Sequence, residues 1–158
     1  MTAPSIISAL LARYRENRGD YRSQNYKEFR LRIEFIDPFF KALGWDVANT
    51  AGDAEAYKEV VHEDKIKVGA TSKAPDYAFR IGGARKFFVE TKAPSVHIKQ
   101  DISAAYQLRR YGWSSKLPLS ILTNFEEFAI YDCRIRPDSN DHASKARISY
   151  IRGVAEVG

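Results

Sequence analysis

The sequence has one cysteine, Cys133. That excludes an intramolecular disulfide and any cysteine-based zinc cluster, and Cys133 reads as a small buried residue on a strand. No window approaches the roughly 18 uninterrupted apolar residues of a membrane span. The apolar patch at residues 6–11 lacks a basic segment before it and soon gives way to charge, so it does not read as a signal peptide. There is no internal repeat, low-complexity tract or long linker. These absences point to a cytoplasmic protein without a membrane partner. The length, 158 residues, fits one domain of ordinary size.

What is present is a real core and an excess of positive charge. Apolar residues make up 44% of the chain, so wholesale disorder is excluded. The net charge is +5 and the isoelectric point near 9.3, with Lys and Arg spread along the whole length. That suits a polyanionic partner, and it suits a solubilising surface equally well.

Hydrophobic periodicity and turn residues give the order of elements. A first helix is predicted over 3–18, with Pro4 tolerated in its first turn and Gly19 at its end. A second runs over 23–43, closed by Gly44 and kinked near Asp37 by Pro38. Strands follow at 45–47 and 57–62, with turns at 49–54 and a loop at 68–74. A hairpin is the clearest feature: strands 76–81 and 86–91 around Gly82-Gly83. Pro94 stops it, and Ser95 caps a helix that runs to about Tyr111 and ends at Gly112. Strands at 119–123 and 128–132 flank a turn at 124–127, and another strand is expected at 147–151. This is a mixed α/β layout around a central sheet.

The hairpin carries Pro75-Asp76 and, after thirteen residues, Glu90-Thr91-Lys92. Alternate strand residues share a face, so Glu90 and Lys92 point one way, Val89 and Thr91 the other. A tight hairpin brings Asp76 beside the strand holding Glu90. Two carboxylates and a lysine then converge, a group suited to phosphodiester hydrolysis. A hard divalent cation needs only one or two carboxylates and polarises the phosphoryl oxygen. The lysine can orient or help deprotonate the attacking water. Glu-x-Lys alone is not specific: Glu63-Asp64-Lys65 repeats it, and Pro137-Asp138 repeats Pro-Asp. The 63–65 copy lies in a charged run and reads as solvated. Glu90 directly follows the apolar run Phe87-Phe88-Val89, at the mouth of a core strand. A salt-bridged surface hairpin is the bland alternative.

Two helices add independent signals. At about 100° per residue from Glu28, Phe29, Ile33, Ile36, Phe40 and Leu43 fall between about 60° and 140°. Phe39 falls near 20°, with Leu31 and Phe35 short of zero. Glu28 and Arg32 lie within this apolar sector, four residues apart, so they can pair. They are either a structural ion pair or a carboxylate at the site's edge with an arginine that orients it or reaches a phosphate. On the next helix Gln107 and Tyr111 share a face. Gln107 can donate and accept beside a metal-bound water or a phosphate, and Tyr111 can offer its hydroxyl. Ordinary polar surface is the alternative there.

Taken together, Pro75-Asp76…Glu90-Thr91-Lys92 resembles the signature of the PD-(D/E)XK nucleases. More closely, the chain is similar to the N-terminal nuclease domains of type IIG restriction–modification enzymes and of type I restriction R subunits. Tyr26-Lys27-Glu28, Arg32, Phe35-Ile36-Asp37-Pro38-Phe39-Phe40 and Leu43-Gly44-Trp45-Asp46 resemble that family's leading helix, and Gln107…Tyr111 its Gln-x-x-x-Tyr motif. The resemblance covers about residues 22–132 of a single domain spanning 1–158. It implies a restriction-endonuclease-like mixed sheet flanked by helices and Mg²⁺-dependent cleavage of DNA, with Mn²⁺ as a substitute. Asp76, Glu90 and, as an accessory, Glu28 would hold the metal. Lys92 would assist the water and Gln107 support it, while Arg32, Tyr111 and Lys73 would contact DNA.

Relatives of this kind continue into methyltransferase and target-recognition domains. Neither an Asn-Pro-Pro-Tyr-like motif nor a glycine-rich methyl-donor loop occurs here, nor a Walker phosphate loop. The chain therefore reads as the N-terminal fragment of a larger restriction enzyme, or a stand-alone domain, cutting DNA as a transient dimer. The competing expectation is a non-catalytic nucleic-acid-binding domain that keeps the nuclease fold. A third is a nuclease acting on ends, single strands or RNA.

Overall fold

Strict alternation in the central hairpin builds the core of the molecule. In the computed structural model, which describes residues 2–153, the hairpin strands are β4 (Tyr77–Ile81) and β5 (Ala84–Thr91). Tyr77, Phe79 and Val89 enter one core cluster, while Ala78 and Phe88 enter another on the opposite face. Both faces are therefore covered. Gly82 and Gly83 have φ of +59° and +83°, the left-handed values a two-residue hairpin loop demands. A side chain at Gly83 would also strike the Ala56 carbonyl, its Cβ falling 2.6 Å from that oxygen.

The remaining strands extend this pair into a six-stranded mixed sheet. They are β1 (Val60–His62), β6 (Leu119–Thr123), β7 (Phe128–Asp132) and β8 (Arg147–Ile151), in the order β1-β4-β5-β6-β7-β8. Among the described residues β5 and β6 make the one parallel pair, joined by the crossover helix α5 (Ile102–Ser114). A separate hairpin, β2 (Ile66–Val68) and β3 (Thr71–Lys73), packs Ile66 and Val68 against Phe88 and Tyr111 on the α5 side. On the other face lie α1 (Ala3–Glu16), α2 (Arg18–Tyr21), α3 (Glu28–Leu31) and α4 (Asp37–Ala42). The expected mixed α/β fold, a central sheet flanked by helices, is the fold observed.

Several boundaries differ from the sequence expectation. The second helix begins at Glu28, five residues late, and residues 32–36 form a π-helical turn rather than a simple kink. Pro38 has no N–H for the Glu34 carbonyl four residues back, and Arg13 donates its guanidinium to that carbonyl instead. The π turn shifts the helical phase. Leu31, Phe35, Ile36 and Phe40 are buried, whereas Phe29 and Ile33, expected in the core, are 63% and 54% exposed.

Residues 45–47 form irregular chain leading into a turn, not a strand, and the 68–74 segment expected as a loop contributes to the β2–β3 hairpin. Helix α5 starts at Ile102, capped by Asp101 rather than Ser95. Gly112 does not end it. Gly112 sits inside α5 because a Cβ there would fall 2.6 Å from Cys133 Cβ. Strands β6, β7 and β8 have the expected bounds. Among the described residues no helix is long and apolar enough to cross a membrane.

Candidate active site

Antiparallel register places the first acid. Tyr77 faces Val89 across the hairpin, so Asp76 arrives beside Glu90, one step beyond the paired residues. The Asp76 N–H donates to Glu90 Oε1 at 3.0 Å. The Asp76 carboxylate is itself held on both oxygens. Arg32 Nη1 donates to Oδ1 at 2.5 Å, and the backbone N–H and hydroxyl of Thr91 donate to Oδ2 at 2.8 and 2.6 Å.

The parallel pairing of β5 with β6 places the other end of the motif. Glu90 pairs with Leu122 and Thr91 with Thr123. The Lys92 N–H then donates to the Thr123 carbonyl at 2.9 Å, which fixes the backbone just past the strand. The Lys92 ammonium reaches Gln107 Oε1 at 3.5 Å, and Gln107 Nε2 donates to the Tyr111 hydroxyl at 2.7 Å. One turn of α5 thus holds Gln107 against the lysine, as expected for residues four apart.

These groups share one cleft of about 330 Å³, with Glu28, Arg32, Asp76, Glu90, Lys92 and Gln107 among its walls. All five residues expected in catalysis therefore meet, together with Arg32. Glu90 is 6% exposed. Burial, and next the charge of Asp76, push its carboxyl up to about 8, while Lys92 pulls in the opposite direction. Two carboxylates held this close could hold a cation, which would favour the ionised form of both. Their all-oxygen donor set suits a hard ion that keeps several waters. Among the described residues no three of His, Cys, Asp and Glu cluster as metal ligands. Glu28 lines the same cleft as Asp76 and Glu90.

One expected pairing needs correction, and two further residues lie beside the cleft. Arg32 does not pair with Glu28. Its partners are Asp76 and, at 4.0 Å, Glu63. The enclosed Asp76, with the same 18% side-chain exposure as Arg32, is the less screened partner. Tyr111 is 4% exposed and its hydroxyl is taken by Gln107, so it supports Gln107 rather than facing solvent. Lys73 stands outside the cleft, lining a neighbouring depression that shares Gln107.

Four further residues line the cleft without having been expected to act in the site: Lys27, Phe29, Glu63 and Thr91. Strand alternation sends Thr91 to the far face, but it is the last residue of β5, where Asp76 wraps round the strand end to meet it. Glu63, which its charged run marks as solvated, lines the rim. Phe29 lies there too, because the π turn turns it out of the core. A place within the quoted motifs is a usable signal for Thr91 and Lys27, and there is none for Glu63 or Phe29.

Residues 55–139 match the family model described as type I restriction enzyme R protein N terminus. The chain is 43% identical over 150 residues to the type II restriction enzyme and methyltransferase RM.Eco57I of Escherichia coli, an alignment covering 94% of this chain and 15% of the relative. The chain thus spans about 15% of the length of the curated relative it matches. No solved structure matches. The family match begins after the leading helix and takes in Asp76, Glu90, Lys92 and Gln107. The chain belongs to the family of type I restriction enzyme R protein N-terminal domains.

Proposed function

We propose that this restriction-type nuclease domain is the DNA-cutting module of a larger restriction enzyme, dependent on Mg²⁺ or Mn²⁺. The convergence of Asp76, Glu90, Lys92 and Gln107 in one cleft is the observation that carries this reading. Asp76 and Glu90 would hold the cation, with Glu28 as an outer carboxylate. Once bound, such an ion polarises the phosphoryl oxygen and stabilises the charge that develops on it. Lys92, tethered to Gln107, orients the attacking water and adds positive charge beside the phosphate. Arg32 reaches a phosphate from the helical wall. The methyltransferase and target-choosing parts would lie in other domains or subunits, as the relative's printed name suggests.

The test is nicking of supercoiled plasmid with Mg²⁺ or Mn²⁺, with a chelator as control. Cleavage is expected with metal only, and Asp76→Ala and Lys92→Ala are each expected to abolish it. Equal cleavage by both variants would refute the assignment. Linear, single-stranded and RNA substrates run in parallel define the substrate class. One observation favours a second reading, a binding domain without catalysis: both Asp76 oxygens already accept protein donors. Salt-sensitive DNA binding with no cleavage under either metal supports that reading.

A further inference from the structure

Two depressions continue from the cleft along the seam between β2 and α5. The first, about 220 Å³, shares Gln107 with the cleft and is walled by Val68, Lys73, Tyr106 and Arg110. The second, about 560 Å³, lies further along the same two elements and is walled by Lys67, Gly69, Trp113, Lys116 and Arg134. The cleft itself is rich in carboxylates, yet neither depression has an acidic residue in its wall.

Among the described residues along the seam, Arg134 is held in an ion pair with Asp132 and the other cations are not. Arg22, Arg30, Arg32, Lys58, Arg85, Arg109 and Arg134 all form ion pairs. Among the described residues Lys67, Lys73, Arg110 and Lys116 form none. Strand alternation turns Lys67 outward while Ile66 and Val68 go into the core. The Arg110 guanidinium is carried on the Tyr106 ring, 5.3 Å from its centre, and so keeps its charge toward the seam.

We propose that this seam is the track that holds the phosphodiester backbone of the DNA strand leaving the cleft, through Lys67, Lys73, Arg110 and Lys116. The inference rests on the nuclease reading for its starting point, the cleft. From Gln107 to Ser114 the helix advances about 10 Å at 1.5 Å per residue. A strand of duplex carries one charge per about 3.4 Å of axis, so the track spans on the order of three phosphates. Trp113, 42% exposed beside Lys116, offers a ring on which an unpaired base can stack. A local row of unpaired cations binds a backbone without reading its sequence, which fits a module whose target choice lies elsewhere.

The test is fluorescence anisotropy of labelled duplex and single-stranded DNA with the whole chain, in chelator, across a salt series. One variant carries Lys67→Gln, Lys73→Gln, Arg110→Gln and Lys116→Gln. A control removes the same charge elsewhere through Lys41→Gln, Lys86→Gln, Lys99→Gln and Lys145→Gln. Because Arg110 is half-buried, a version keeping it and changing only the three lysines is measured too. Each lost phosphate contact lowers the salt slope by about 0.9 on duplex. The track variant is expected to lose about three to four in slope and about tenfold or more in low-salt affinity. The control is expected to keep the parental slope. An unchanged slope in the track variant, equal losses in the two variants, or no DNA binding by the parent overturns the track. Binding that follows the track without cleavage under any metal refutes the nuclease reading and leaves the track standing.

Discussion

Arg32 Nη1 donates to Asp76 Oδ1 at 2.5 Å, across 44 residues of sequence, and so ties the helical wall of the cleft to the hairpin. On the proposed reading Asp76 is a metal ligand, so the guanidinium and a cation compete for one carboxylate. Arg32→Ala is therefore expected to tighten Mn²⁺ binding in the absence of DNA by roughly tenfold, about 1.4 kcal/mol. Isothermal calorimetry reads this directly. Weaker binding by the variant would mean that Arg32 orients Asp76 for the metal instead of competing with it.

Glu90 gives a pH dependence whose sign is set by burial. Its carboxyl titrates near 8 in the folded, metal-free protein, against an ordinary value of 4.5, because burial and then Asp76 disfavour its charge. The folded state thus holds this proton more tightly than the unfolded one. Glu90 favours folding most below pH about 4.5, and that contribution is lost as pH rises through about 8. Glu90→Gln removes the dependence. In chelator, urea unfolding of parent and variant from acid to alkaline pH is expected to show the parent losing ground by on the order of a few kcal/mol. Parallel curves for the two proteins would contradict the raised value.

The hairpin is legible in the sequence because period-two alternation and a Gly-Gly turn are local signals, and together they suffice to place Asp76 beside Glu90. The strands after α5 are equally local and have the expected bounds. The leading helix is legible only in part. A wheel of uniform pitch puts Phe29 and Ile33 in the core, and a π turn set by Pro38 and the Arg13 contact turns them outward. The same wheel brings Arg32 near the site but gives it the wrong partner, since its true partner is remote in sequence and a wheel sees only neighbours. Gly112 reads as a helix end because glycine ends helices more often than it makes room inside them. What fills that room, Cys133, lies just beyond a strand formed later in the chain.

Gly112 makes a packing prediction. The Cys133 side chain occupies the space a Cβ would need, 2.6 Å from the Cys133 Cβ and closer still to its Sγ. Gly112→Ala is expected to cost about 1–3 kcal/mol through overpacking, although alanine is the better helix former. Adding Cys133→Ala relieves the sulfur contact but keeps the Cβ contact, so rescue is expected to be partial, and Cys133→Gly to rescue further. A thermal melt of each protein checks the order. A Gly112→Ala variant as stable as the parent would show that the helix and the strand end separate without cost.

The last prediction concerns the clamp that fastens the N-terminal helix. Glu126, buried in the β6–β7 turn, accepts the Tyr14 hydroxyl at 2.9 Å and Arg22 Nε at 2.5 Å on one oxygen, and Arg22 Nη2 at 2.9 Å on the other. Tyr14→Phe removes one donor and leaves the ion pair, so it is expected to cost about 1 kcal/mol. Glu126→Ala strands a buried hydroxyl and frees Arg22, at about 3 kcal/mol. The consequence reaches the cleft, because the same α1 supplies Arg13 to the Glu34 carbonyl inside the π turn that carries Arg32. Hydrogen exchange on Glu126→Ala is expected to speed up at α1 and at residues 32–36 together, with the β4–β5 hairpin unchanged. Faster exchange at α1 alone would show that the π turn stands without the clamp and that the N-terminal helix does not support the placement of Arg32.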